Sequence, residues 1–169
     1  MDYDKLQELF RLFPAASSID LLKPPIFIIL VIKMDLTKNF PRSPYDMLAG
    51  VVMLPRTIDK CEATIEGKNG EYHYGCPLDM PVLEFLNVSK KDFMDKIKSL
   101  KDDAKIEAWV KEKLKSKSKS EIENFNNKMR HLKPDDEGSK KWLESEKKKL
   151  GRDDYFSYFD NLDADEKRF

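Results

Sequence analysis

The sequence predicts an all-α protein, mostly helical, with about six or seven helices and at most one short extended segment near residues 71–75. Three observations carry that reading. Charged residues make up 37% of the chain against 40% apolar, the balance of amphipathic helices with heavily solvated outer faces. Six glycines in 169 residues are few for the many turns of a β-sandwich. Apolar residues also recur at helical spacing between capping residues along most of the chain.

Residues 1–33 differ from the rest and read as an N-terminal extension. Leu6, Leu9, Phe10 and Phe13 follow the i, i+3, i+4, i+7 pattern of a short amphipathic helix ended by Pro14. An apolar run from Ile26 to Ile32 follows Pro24 and Pro25, between Lys23 and Lys33. It is far shorter than the roughly 18 to 20 residues of a membrane-spanning helix, and acidic residues precede it, unlike a signal peptide. It reads either as a buried strand or as a stretch translated from an upstream start, with Met34 as the true first residue. Residues 34–169 then form a single helical domain.

Within that domain, Ser43 and Pro44 supply an N-cap and a first-turn proline. Leu48, Val51, Val52, Ile58, Cys61 and Ile65 mark one face of the helix that follows, with a kink or break expected at Pro55. Gly67, Asn69 and Gly70 make a turn, and residues 71–74 read as extended before the irregular Gly75 to Asp79. Asp79 caps a short helix carrying Val82, Leu83, Phe85 and Leu86. Ser89 with Asp92 caps the next, carrying Phe93, Ile97 and Leu100. Asp102 or Asp103 opens a helix with Ile106, Trp109, Val110 and Leu114. Ser120 with Glu123 reads as a capping box before Ile122, Phe125, Met129 and Leu132, with a stop at Pro134. A helix from about Ser139 to Leu150 is expected to bury Trp142, Leu143 and Leu150 and to end at Gly151. Tyr155, Phe156, Tyr158, Phe159 and Leu162 form an aromatic segment expected to dock on the core.

Composition excludes several function classes. With 31 basic and 31 acidic residues the net charge is zero, so no global field favours nucleic acid or an anionic membrane. The lysine-rich stretches at 111–119 and 147–149 lack interleaved aromatics for base stacking and sit at helix ends as solvated cations. Neither nucleic acid nor membrane is an expected partner. Cys61 and Cys76 are not paired in a C-x-x-C motif, and reduced thiols in a cytoplasm are the expected state.

Several strings occur together in order. They are Asp35-Leu36-Thr37-Lys38, Pro41-Arg42-Ser43-Pro44, Leu54-Pro55-Arg56-Thr57-Ile58-Asp59-Lys60, Gly70-Glu71-Tyr72-His73-Tyr74 and Cys76-Pro77-Leu78-Asp79, followed by Phe85-Leu86. In these the chain resembles the bacterial family catalogued as domain of unknown function 5069, from about Met34 to the C-terminus. The second half matches more loosely, in its apolar spacing and in the closing Asp165-Glu166 stretch. That the resemblance begins at Met34 favours an upstream start for residues 1–33. The resemblance implies a compact, soluble bacterial protein and no particular activity.

Arg56, Asp59 and Lys60, three and four residues apart, share one helix face. The simplest expectation is an i, i+3 ion pair on a solvated surface, where such pairs contribute a few tenths of a kcal/mol. The sharper one turns this cluster toward the irregular 71–79 segment, where Tyr72, Tyr74, Cys76 and Asp79 complete a polar pocket and Arg56 suits a carboxylate or phosphate. Cys61, His73, Cys76 and Asp79 include zinc-ligand types, but only His73-x-x-Cys76 has ligand spacing, so no metal and no cofactor is expected. No phosphate-cradling glycine loop, G-x-S-x-G elbow or H-E-x-x-H pair is present, and no catalytic residue is assigned. Two readings remain: a small binding or interaction module with a small-molecule or protein partner, or an enzyme acting on a small anionic or polar metabolite through a pocket around Arg56, Asp59 and Cys76. The first is favoured because no catalytic template appears. Neither oligomeric state nor substrate is legible.

Overall fold

The computed structural model describes residues 34–168. The helix read at 6–13 and the apolar run at 26–32 lie outside the described residues. Those described hold seven α-helices, α1 (Leu54–Ile65), α2 (Met80–Phe85), α3 (Lys90–Leu100), α4 (Asp103–Lys113), α5 (Lys119–Arg130), α6 (Glu137–Leu150) and α7 (Tyr158–Asp165), with a 3₁₀ turn at Leu114–Ser116. The chain is therefore mostly helical.

The main departure from the sequence reading comes before α1. Ser43 and Pro44 do not open a helix; residues 44–45 turn, and Met47–Leu48 (β1) pairs antiparallel with Val51–Val52 (β2). The two-residue loop is Ala49 at φ 50° and Gly50 at φ 80°, left-handed at both positions as a tight hairpin requires. Asn126 on α5 closes the hairpin's second side: it accepts from Val52 N–H at 3.1 Å and donates to the Gly50 carbonyl at 2.7 Å. Pro55 consequently falls in the first turn of α1 rather than inside a longer helix. There its missing N–H leaves no helical bond unmade, so no kink follows. The extended segment expected at 71–75 is corrected likewise: those residues are turns and loop, and the short strands lie at 47–52.

Caps decide the other helix starts. Ser89 accepts from Asp92 N–H, and Asp102 from Lys105 N–H. The capping box of α5 is Ser118 with Glu121, one turn fragment earlier than Ser120 with Glu123. α6 starts from Asp136 and ends at Gly151 with φ 66°. α7 carries a capping box of Ser157 and Asp160.

Leu54, Ile58 and Cys61 of α1 pack with Val82, Leu83, Phe93, Ile97, Ile106, Val110, Met129 and Phe159 in one apolar core, each large side chain contributing about 1.5 to 3 kcal/mol on full burial. Phe85 and Phe125 stack at 4.2 Å on its border. A smaller cluster of Leu143, Tyr155 and Ala164 joins α6 to α7. Of the aromatic segment, Tyr155 and Phe159 are buried while Phe156 is exposed. Trp142, expected inside, is also exposed, lying against Tyr158 at 6.0 Å between ring centroids; Leu143 beside it takes the inward position of α6.

Candidate functional site

All residues of α1 from Leu54 to Cys61 are buried, charged ones included. Arg56, Asp59 and Lys60 are only 1%, 1% and 3% exposed, so they form no surface ion pair. Nor do they pair with one another, since each reaches a different part of the chain.

Arg56 grips Glu166, just past α7, with Nη1 to Oε2 at 3.0 Å and Nη2 to Oε1 at 2.6 Å. This is the two-pronged geometry that a guanidinium offers a carboxylate. Nη1 also donates to the Arg42 carbonyl at 3.1 Å, and the guanidinium stacks 5.5 Å from the centroid of the Tyr72 ring. Glu166 further accepts from the Tyr72 hydroxyl at 3.0 Å and from Arg168. Burial, followed by the Glu166 charge, raises the Tyr72 hydroxyl well above its ordinary range. Arg168 also pairs with Asp163 and donates to the Pro41 carbonyl. Ser43 donates to Asp163, and Tyr45 to Asp160, so the C-terminal helix is bound to the 41–45 segment by polar contacts.

Lys60 takes the other direction. Its Nζ lies 2.8 Å from Asp79 Oδ1 and 3.2 Å from Cys76 Sγ. Asp79 is fully buried and accepts from Thr57 Oγ1 at 2.9 Å, Gly75 N–H at 2.8 Å and Cys76 N–H at 3.2 Å. Its side chain makes no cap for α2 because these partners take it. Gly75 at φ 77° turns the two amides toward that carboxylate.

Asp59 faces away from both groups. It accepts from Arg42 N–H at 2.7 Å and from the Arg42 guanidinium at 2.7 to 3.1 Å. Burial nevertheless outweighs that partner and pushes its carboxyl above the ordinary value. Tyr74 is also inside, donating to the Lys90 carbonyl at 2.8 Å. Burial pushes the Cys61 thiol up to about 12, making it a small buried hydrophobe rather than a nucleophile.

Between α1, the 71–78 loop and the end of α7 lies a cavity of about 250 Å³. Arg56, Lys60 and Glu166 form its charged floor, Tyr72 and Cys76 its side, and Met53, Leu78 and Leu162 its apolar walls. Glu71, His73 and Asp165 complete the lining and are exposed. Of the residues placed in the expected polar pocket, Arg56, Lys60, Tyr72 and Cys76 line the cavity, as does His73, weighed only as a metal ligand. Asp79 stands behind Lys60, while Asp59 and Tyr74 do not line it. Glu166, Asp165, Leu78 and Leu162 were not anticipated as site residues. The Asp165-Glu166 pair enters the sequence reading only as part of the family resemblance, without a site role. Among the described residues no group of three or more His, Cys, Asp or Glu side chains is placed to hold a metal.

The profile of a family described as Domain of unknown function (DUF5069) matches residues 38–168. The chain belongs to this family. The match spans both halves of the cavity, from α1 to Glu166, so the DUF5069 region contains every residue that lines it. No curated protein matches the chain. No helix among the described residues of this DUF5069 member is long and apolar enough to cross a membrane.

Proposed function

We propose that the chain is a small-molecule-binding module whose site is the cavity over Arg56, Lys60 and Glu166. The observation that carries this reading is the cavity floor. Three buried charged side chains, drawn from α1 and from a residue 110 positions away, are organised beside an open volume of about 250 Å³. Burying charges costs several kcal/mol each before pairing, and the apolar core of α1 alone would hold the helix without them. That volume falls just short of the roughly 300 to 1,000 Å³ of drug-sized ligand sites, so the ligand is a small metabolite.

Catalysis is the second reading, favoured by one contact: Cys76 Sγ at 3.2 Å from Lys60 Nζ on the cavity wall. A thiol beside an ammonium is the arrangement in which a cysteine nucleophile operates. Cys61 and Cys76 are both free thiols, which suits the reducing interior of a bacterial cytoplasm.

The test is a thermal-shift screen of the full chain against a panel of small metabolites, run in parallel on Leu78→Trp, which fills the cavity from its apolar wall. A ligand at a hundred times its dissociation constant adds roughly 2.7 kcal/mol of stability. Stabilisation of the wild type that is lost in Leu78→Trp supports the site. A panel that shifts neither protein, or both equally, removes it.

A further inference from the structure

The donors and acceptors left over at the cavity define the ligand it takes. Arg56 uses three of its five N–H groups, two on Glu166 and one on the Arg42 carbonyl. Its Nε–H and one Nη2–H meet no acceptor among the described residues. Lys60 uses two of its three, on Asp79 and Cys76. The floor thus keeps unused donors on cations that are almost fully buried as residues; no buried side-chain nitrogen or oxygen among the described residues lacks a partner, so these donors face the open volume of the cavity, where a ligand can accept from them.

The mouth has the opposite character. Glu71 and Asp165 line it, both exposed, and neither is engaged in an ion pair among the described residues. Their charges are not cancelled by Arg168, which is committed to Asp163 and Glu166. The floor itself is neutral overall, Arg56 being matched by Glu166 and Lys60 by Asp79. A simple anion would therefore cross a negative rim to reach a neutral floor, and a simple cation would leave the floor donors unused.

We infer that the cavity binds a zwitterion of amino-acid size, its carboxylate accepting from Lys60 and Arg56 and its ammonium held at the Glu71 and Asp165 rim. Leu78 and Leu162 give the walls an aliphatic surface, which suits a branched or unbranched apolar side chain. This assignment rests on the cavity being a ligand site, as proposed above.

The test compares three molecules of one skeleton on the full chain: L-leucine, 3-methylbutylamine, which lacks the carboxylate, and 4-methylpentanoic acid, which lacks the ammonium. Binding is followed by the backbone amide shifts of residues 71–78, with a parallel titration of the Glu71→Gln/Asp165→Asn variant. L-Leucine is expected to bind at least about tenfold more tightly than either analogue, the factor carried by one charge-assisted hydrogen bond. The variant should lose most of that advantage over the acid while its affinity for the acid is not reduced. Equal binding by the amine or the acid, or an unchanged preference in the variant, overturns the zwitterion while leaving the cavity a ligand site. Silence from all three also overturns the zwitterion; if the metabolite screen is silent as well, the ligand site falls with it.

Discussion

Helices α1 and α6 carry similar charges at similar spacing and use them in opposite ways. On α6, Glu137 meets Lys140 and Glu146 meets Lys149, both i, i+3 pairs, the first exposed on both sides and the second through its lysine. On α1, Arg56 and Asp59 also stand three apart but ignore each other: one reaches Glu166 and the other Arg42, both by forked guanidinium contacts within the protein. The difference lies in what covers each helix. α6 packs through Leu143 and Lys147, whose ammonium lies over the Tyr155 and Phe156 rings, and leaves Glu137, Lys140 and Lys149 to water. α1 has the apolar core on one side and the C-terminal residues, the 41–45 segment and the 75–79 loop on the other. A charge on a covered helix must find a partner, and the partner with the better geometry comes from another element.

Breaking the Arg56 to Glu166 pair should have the largest effect. Glu166→Ala leaves Arg56 and the neighbouring Arg168 without their shared carboxylate, and urea unfolding is expected to show a loss of about 3 to 5 kcal/mol. Replacing both partners, as in Arg56→Met with Glu166→Leu, should recover most of that loss, because the penalty comes from an unpaired buried charge. A double variant as unstable as the single one would mean that the network acts through shape instead. Next, Asp79→Asn removes the charge that Lys60 faces and weakens the grip on the Gly75 and Cys76 amides. Its expected cost is about 2 to 3 kcal/mol, accompanied by faster amide exchange at residues 75 and 76.

The half-buried Glu62 sharpens the comparison through pH. Burial, then Asp103 and Asp59, push its carboxyl from 4.5 to about 7. The folded state therefore binds a proton that the unfolded chain releases, so this group's contribution to stability declines as pH rises from about 4.5 to about 7 and is constant above that. Glu62→Gln should be more stable than the wild type at pH 8, by about 1 kcal/mol once solvent screening is allowed for, with the two converging near pH 4.5. Parallel stability curves for the two proteins across this range would contradict it. The smallest effect belongs to α6: Lys140→Ala should change the unfolding midpoint by less than about 0.5 kcal/mol equivalent, as for any exposed pair. A larger loss there would erase the contrast with α1.

The helices were legible where local chemistry decides them. Ser89 with Asp92, Asp102, and Gly151 after α6 all act as read, because a cap and its helix lie within a few residues of each other. Pro44 misled because a proline after serine fits a turn as well as a first helical turn. The turn prevailed because Asn126, 74 residues distant, satisfies the hairpin backbone. Trp142 misled because size and apolarity do not say which side of a helix is covered; Leu143, one position on, faces inward. In the cavity, the cluster of Arg56, Lys60, Tyr72 and Cys76 was visible as polar residues near an irregular loop. Glu166 was not, since nothing around it marks a carboxylate that will be buried.

The sequence by itself determined that the chain is mostly helical and where most helices begin and end, because these follow from hydrogen bonds and periodicities a few residues in range. Only the tertiary structure decided which charge each buried charge would meet. Arg56 and Glu166 are 110 residues apart, and a choice among many carboxylates over that separation is made by the packing that excludes water from one of them.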